Sequence, residues 1–285
     1  MSLPMPSPTV PRRPLSSYKL ISYDIYGTLV DWETSIVHLL QPLVAQIPPS
    51  SPFHQQYADS TTPGSPGRIR LASKFNDVEH ALQAENPTQK YDALLHDSYL
   101  RLARDFGVPA ATTALEADAT AFGASIGTWQ PFPDTVDACQ RLVRAGFKLV
   151  PLSNVDRASF GRTCAGPLAG VDFFAVYTAE DIGSYKPDLR NFEYLIRRAK
   201  EDAGVDKDDI LHVAQSVFHD HVPAKQVGLA SVWINRKGAG MGGQDETLRG
   251  LHERAEVGYG WRFSTLGELA DEVEREKERA EAGKA

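Results

Sequence analysis

Asp24 stands at the end of the apolar run Leu20-Ile21-Ser22-Tyr23, followed by Ile25-Tyr26-Gly27-Thr28-Leu29. A carboxylate delivered to the C-terminal end of a strand, with a glycine to turn the backbone and a hydroxyl four residues on, is placed to act as a nucleophile or to hold a metal. The plainer alternative is a turn residue, since Asp and Gly both favour turns. Three further segments repeat the grammar of apolar strand followed by polar group. Residues 147–152 run into Ser153-Asn154, residues 173–178 lead to Gly183-Ser184-Tyr185-Lys186-Pro187, and residues 210–214 run into Gln215-Ser216 and then Asp220. Asp, Ser, Lys and Asp thus follow one another, each after a strand.

Those four segments, in that order, resemble the motifs of the haloacid dehalogenase superfamily of hydrolases over about residues 18–275. The resemblance implies Asp24 as nucleophile, Lys186 as the cation that keeps it ionised, Thr28 as the hydroxyl that fixes its rotamer, and Asp220 as the group orienting Lys186 or the hydrolytic water. Ser153, Asn154, Ser216 and the backbone around Ile25 and Tyr26 would hold a substrate carboxylate. Most of the superfamily are Mg-dependent phosphatases with a second Asp two residues after the nucleophile. Here that residue is Tyr26, and a phenol with a pKa near 10 is a poor proton donor at neutral pH. A departing halide needs no proton, so Asp-x-Tyr-Gly-Thr is similar to the type II, or (S)-2-haloacid, dehalogenase branch. That branch forms an aspartyl ester, uses no organic cofactor, and acts on small haloacids. Mg²⁺ enters only under the alternative of a phosphatase working through aspartyl phosphate. A second alternative is a weakened member that binds a small acid. Relative to the dehalogenases, Gln215 replaces a usual Ser, Val217 a usual Asn and Phe192 a usual Tyr. The cap arginine has no clear match, and Arg70, with Arg68 beside it, is the nearest candidate.

The elements that must position these residues follow from patterning. Strands alternating with helices give an α/β fold with a Rossmann-like parallel sheet core, ligands binding beyond the strands' carboxyl ends. The expected helices begin at Asp134, an N-cap ahead of Val136, Cys139 and Leu142, and at Pro187, ahead of Phe192, Leu195 and Ala199. Residues 231–234 read as a fifth strand. A last helix carries Leu266, Leu269, Ala270 and Val273, with a charged tail from about Glu274 expected to fray.

Between Asp24 and Ser153 lie 129 positions, whereas a crossover between parallel strands needs little more than about a dozen. Apolar residues there recur at helical spacing: Phe75, Val78 and Leu82 on one face, then Tyr91, Leu94, Leu95, Leu102 and Phe106 on another. Asn86-Pro87-Thr88 marks a turn between them, and a Pro/Ser-rich loop spans about 48–67. Residues 33–130 are therefore expected to form an inserted α-helical cap, with 18–32 and 131–285 as the core and the Pro/Ser-rich residues 1–17 as a disordered leader.

Composition sets the outer bounds. The 285 residues are 42% hydrophobic and 24% charged, an ordinary globular balance. The net charge of −7 argues against nucleic acid or an anionic membrane as partner. Cys139 and Cys164 are too few for a disulfide framework and lack metal-ligand spacing, which fits a reducing, cytoplasmic setting. A small-molecule acid is the expected partner, with homodimer formation left open. Trp32 and Trp129 read either as an apolar halide pocket or as packing. His219 and His221 flank Asp220 at a spacing that is a weak signal for metal, so no metal ligand is assigned.

Overall fold

The computed structural model describes residues 3–86, 89–109, 112–236 and 245–283. Its chain divides into two compact units: Met1–Asp31 with Pro131–Arg157 and Leu168–Ala285, and Trp32–Gln130 with Ala158–Pro167.

The first unit is built on six parallel strands: β1 (Leu20–Tyr23), β2 (Lys148–Ser153), β3 (Tyr177–Thr178), β4 (Ile210–Ala214), β5 (Ala230–Ile234) and β6 (Trp261–Phe263), in the order β3-β2-β1-β4-β5-β6. β1, β4 and β5 are buried along their whole length. Such continuous burial belongs to parallel strands covered on both faces. On one face Leu20, Val150, Leu152 and Ile210 pack beneath Phe192, Leu195 and Ala199 of the helix Arg190–Ala203. Trp233 on β5 forms a second cluster with Leu248, Leu251, Val257 and Tyr259. The expected parallel α/β core is the observed one.

Several local expectations differ from what is observed. β3 covers only Tyr177–Thr178 of the apolar run 173–178, and Phe174 and Val176 are exposed. β6 went unread because Trp261–Phe263 is short and pairs in register only with β5 (Val232↔Trp261, Ile234↔Phe263). The helix after Pro187 begins at Arg190, because a turn (Asp188 N–H to Tyr185 O, 3.0 Å) comes first. Asp134 precedes the helix Thr135–Arg144 but does not cap it with its side chain. Its carboxylate instead accepts from the backbone N–H groups of Leu266 (2.7 Å) and Gly267 (3.1 Å), tying down the first turn of the helix Leu266–Ala282.

The segment expected to be a disordered leader is ordered from residue 3 onward. Thr9 N–H donates to Gly258 O at 2.7 Å, and Arg13 pairs with Asp209 at 2.8 Å and stacks over the Tyr18 ring. A 3₁₀ turn at Leu15–Ser17 buries Leu15 completely. Nor does the charged C-terminal tail fray. The last helix runs to Ala282, Glu274 pairs with Arg141, and Glu276 accepts from Ser16 N–H at 2.8 Å. Apart from Tyr18, the partners of both segments lie well over a hundred residues away, so composition alone suggested disorder.

The second unit is helical. Its main helices are Trp32–Leu39, Pro66–Glu85, Tyr91–Phe106 and Thr113–Gly123. The Pro/Ser-rich loop holds one short helix, Pro52–Gln56, and ends where Ser65 Oγ accepts Arg68 N–H at 3.2 Å as an N-cap. Phe75, Val78, Leu94, Leu95, Leu102 and Phe106 are buried, as the spacing predicts, whereas Leu82 and Tyr91 on the same faces are only partly buried. Gly107 takes the left-handed conformation (φ 77°) that ends its helix. Of the expected turn at 86–88, Pro87 and Thr88 lie outside the described residues. Residues 158–167, assigned to the core from sequence, belong to this unit instead. Thr163 Oγ1 donates to Ile126 O at 3.4 Å, and a Cβ on Gly166 would fall 2.7 Å from Gly127 O, so glycine permits the approach.

Candidate active site

Asp24 follows β1 directly, and its N–H donates to Val213 O on the neighbouring strand at 3.2 Å. Beyond it, the carbonyl of Ile25 accepts from the N–H groups of Thr28, Leu29 and Val30 at 3.2, 2.7 and 3.0 Å. Gly27 makes this tight return with φ 95°, a region L side chains avoid. Tyr26 forms a bridge to Val30, and Ile25 is fully buried. The turn aims Thr28 back at the acid: its Oγ1 donates to Asp24 Oδ2 at 2.9 Å and accepts from Gln215 N–H at 2.9 Å. From the far side, the guanidinium of Arg236 donates twice to Thr28 O (3.0 and 2.9 Å) and once to Asp134 (2.7 Å) while stacking 3.9 Å from the Phe132 ring centroid.

Lys186 joins the acids. Its Nζ lies 2.8 Å from Asp24 Oδ1 and 2.8 Å from Asp220 Oδ1. Asn154 holds the backbone of that lysine, donating through Nδ2 to Lys186 O (3.0 Å) and accepting Lys186 N–H on Oδ1 (2.7 Å). One donor and one acceptor of the amide are thus engaged with Lys186, so Asn154 positions the lysine and keeps its second N–H beside the role the resemblance implied for it. Ser216 likewise serves its own turn, its Oγ accepting His219 N–H at 3.2 Å and meeting His219 Nδ1 at 3.1 Å. Ser153 closes β2 with its Oγ buried and without a hydrogen-bond partner among the described residues, in keeping with a group kept for a ligand.

Exposure falls along the constellation: 8% for Asp24, 3% for Lys186 and 0% for Asp220. Asp24 is its least buried member, and Asp220 lies behind the lysine. Of the two roles expected for Asp220, this burial favours orienting Lys186. Its carboxylate does not cap the turn that follows it.

One ammonium shared by two carboxylates divides them electrostatically. Burial is the largest influence on Asp24 and, with the charge of Asp220, raises it above the ordinary carboxylate value against the pull of Lys186 and Thr28. That reverses the lowering expected from Lys186 alone, because sequence reveals the cation and not the desolvation. Burial also opposes ionisation of Asp220, yet Lys186 and His212 outweigh it and hold Asp220 well below its usual range. Lys186, though desolvated, is raised by its two acidic partners.

Two residues that sequence reading passed over complete the site. Ser22 and His212 are register partners on β1 and β4, with Ser22 Oγ 3.0 Å from His212 Nδ1 and His212 Nε2 3.0 Å from Asp220 Oδ1. Each is a polar residue inside a wholly buried strand, and that was the available signal. Phe192, where the dehalogenases have a usual Tyr, packs edge-on against the His212 ring (centroids 5.1 Å). Val217 is buried in the Trp233 cluster.

The remaining candidates resolve as structure. His221 is buried with Nδ1 3.0 Å from Ser231 Oγ and Nε2 3.0 Å from Ala214 O, and burial pushes it down to about 4. Neither it nor His219 belongs to a cluster of metal-binding groups among the described residues. Mg²⁺ favours octahedral oxygen donors. The set at Asp24 fits it poorly, since Lys186 engages Oδ1 of both carboxylates and Thr28 takes Asp24 Oδ2, leaving Asp220 Oδ2 and the Tyr26 backbone carbonyl as oxygens to offer. In the helical unit, Arg70 donates to Gln56 O (3.0 Å) and Arg68 to Thr34 Oγ1 (2.8 Å). Trp129 is packing, 1% exposed with its indole N–H on Ser125 Oγ, and Trp32 lies against Phe75.

A profile for haloacid dehalogenase-like hydrolases matches residues 18–228, and the chain belongs to that family. Two curated (S)-2-haloacid dehalogenases, from Pseudomonas putida and Pseudomonas sp. (strain YL), are each 31% identical to it, over 107 and 108 residues. These stretches are 38% of this chain and 45% and 44% of the relatives, so the chain spans less than half the length of the curated proteins it matches. Among solved structures, one L-2-haloacid dehalogenase superposes with a TM-score of 0.66 at 23% identity, covering 90% of this chain and 99% of that one. The L-2-haloacid dehalogenase of Xanthobacter autotrophicus gives 0.62 at 19%, covering 90% and 98%. A HAD-type hydrolase of Bacillus subtilis, described as bound to magnesium, gives 0.60 at 16%, covering 90% and 99%. At these identities the likeness establishes the fold. No helix among the described residues is long and apolar enough to cross a membrane.

Proposed function

We propose that the chain is a 2-haloacid dehalogenase working through an ester on Asp24. The observation that carries this reading is Asp24 held at 2.8 Å by Lys186, with Tyr26 in place of a second acid two residues on. An Asp24 oxygen attacks the halogen-bearing carbon, the carbon–halogen bond breaks, and halide leaves with the bonding pair. Water then attacks the ester carbonyl, releasing a 2-hydroxy acid, regenerating the Asp24 carboxylate and giving one proton to solvent. The first step needs no acid, so the absence of a carboxyl at Tyr26 costs nothing there. Thr28 and Lys186 fix the carboxylate in one orientation, the positioning that makes an in-line attack effective. The names of the relatives support this substrate class, and so does a donor set poorly suited to Mg²⁺.

Halide release from 2-chloropropionate, measured with and without EDTA beside p-nitrophenyl phosphate hydrolysis, tests the reading. Chelation should leave halide release unchanged. Phosphate release that stops with EDTA and returns with Mg²⁺, in the absence of halide release, would replace this function with a phosphatase. In H₂¹⁸O with excess enzyme, a single turnover should place label in Asp24. Label passing straight into product would show that water attacks the substrate directly.

A further inference from the structure

Asp220 Oδ1 accepts from two donors, Lys186 Nζ at 2.8 Å and His212 Nε2 at 3.0 Å, while Oδ2 is buried without a partner among the described residues. A carboxylate only accepts, so the proton between His212 and Asp220 sits on Nε2. Nδ1 then faces Ser22 Oγ at 3.0 Å. Ser22, His212 and Asp220 are each 0% exposed, and the cross-strand register Ser22↔His212 holds the first pair together. Phe192 closes the other side of the ring. The result is a buried chain, Ser22–His212–Asp220–Lys186–Asp24, open at its Asp24 end. The charged and titratable groups around His212 are Asp220, Lys186, Asp24 and the buried His221.

Lys186 divides its attraction between two acids. A second donor on the same Asp220 oxygen shares that acid's charge and weakens its hold on the ammonium. We propose that His212, backed by Ser22, is a positioning residue that acts through Asp220 to keep Lys186 shared with Asp24. The catalytic importance of this sharing rests on the function proposed above, whereas the electrostatic effect on Asp24 does not.

The test follows the ¹³C resonance of the Asp24 side-chain carboxyl through a pH titration, assigned by its loss in Asp24→Asn, in the wild type and in His212→Phe, His212→Gln and Ser22→Ala. Phe keeps the ring and its packing but donates nothing, so Lys186 should move toward Asp220 and the Asp24 midpoint should rise by about half a unit to one unit. Gln retains an N–H donor and should restore the wild-type midpoint. Ser22→Ala should shift it in the same direction by less. In parallel, His212→Phe should lower kcat about tenfold with KM within about twofold. A folded His212→Phe with an unmoved midpoint, or a Gln variant indistinguishable from Phe, would overturn the proposal. If the Phe variant does not fold, an unmoved Ser22→Ala overturns it. The titration needs no turnover, so a wild type that releases no halide defeats the dehalogenase reading and leaves this measurement standing.

Discussion

The Lys186 ammonium lies 2.8 Å from Asp24 Oδ1 across 162 positions of sequence, with side chains that are 1% and 12% exposed. A buried ion pair of this kind contributes little as a net stabiliser, yet removing one partner is costly because the other charge is left uncompensated. Here removal of the lysine leaves two carboxylates facing each other.

Lys186→Met should therefore lower kcat/KM by more than about a thousandfold and unfolding free energy by about 3–5 kcal/mol. Asp220→Asn placed on that background should recover part of the stability by removing one of the facing charges. Steady-state kinetics and thermal unfolding of the single and double variants check both; additive losses would mean the two side chains do not interact.

The proposed reaction uses Asp24 as its anion, and its folded value is raised above 3.8, chiefly by burial. Activity should be present at neutral pH and fall as pH drops through an acid limb lying above that ordinary value. A kcat/KM profile with a limb at or below 3.8 would contradict the assigned environment.

Arg236→Met should loosen the loop that follows Asp24. It removes two donors to Thr28 O and the pair with Asp134 while preserving most of the apolar stem. Because a buried hydrogen bond from a charged group contributes about 1.5–3 kcal/mol, we expect a stability loss of at least about 2 kcal/mol. A fall in kcat of about ten- to a hundredfold should accompany it. Thermal unfolding beside kinetics separates the two effects.

His221 is neutral in the fold down to about pH 4, against 6.5 when exposed. The unfolded chain then binds the extra proton between those values, so stability rises with pH across that window. The contribution is fully present above 6.5, erodes below it and is gone by about 4, amounting to about 3 kcal/mol in all. Denaturant unfolding at intervals from pH 7.5 to 4.5 should show this slope, and His221→Gln should flatten it.

The sequence by itself determined the parallel sheet and the points where Asp24, Ser153, Lys186 and Asp220 leave it. Those features are local: continuous apolar runs require burial on both faces, and each run ends in a polar group at the same end of the sheet. The helical patterning of residues 70–106 was legible for the same reason, since period encodes which face is apolar. Tertiary structure alone decided what the polar groups do. It tied Asn154 to the backbone of Lys186, turned Asp134 from its own helix to the helix beginning at Leu266, and the leader from solvent to Gly258 and Asp209. It also reversed the expected direction at Asp24, because proximity to a cation depends on motif order while desolvation depends on everything packed around the acid. Hydrogen bonds and ion pairs act over about 3 Å in space and are indifferent to separation along the chain, so 190 residues between Ser22 and His212 hid a contact of 3.0 Å.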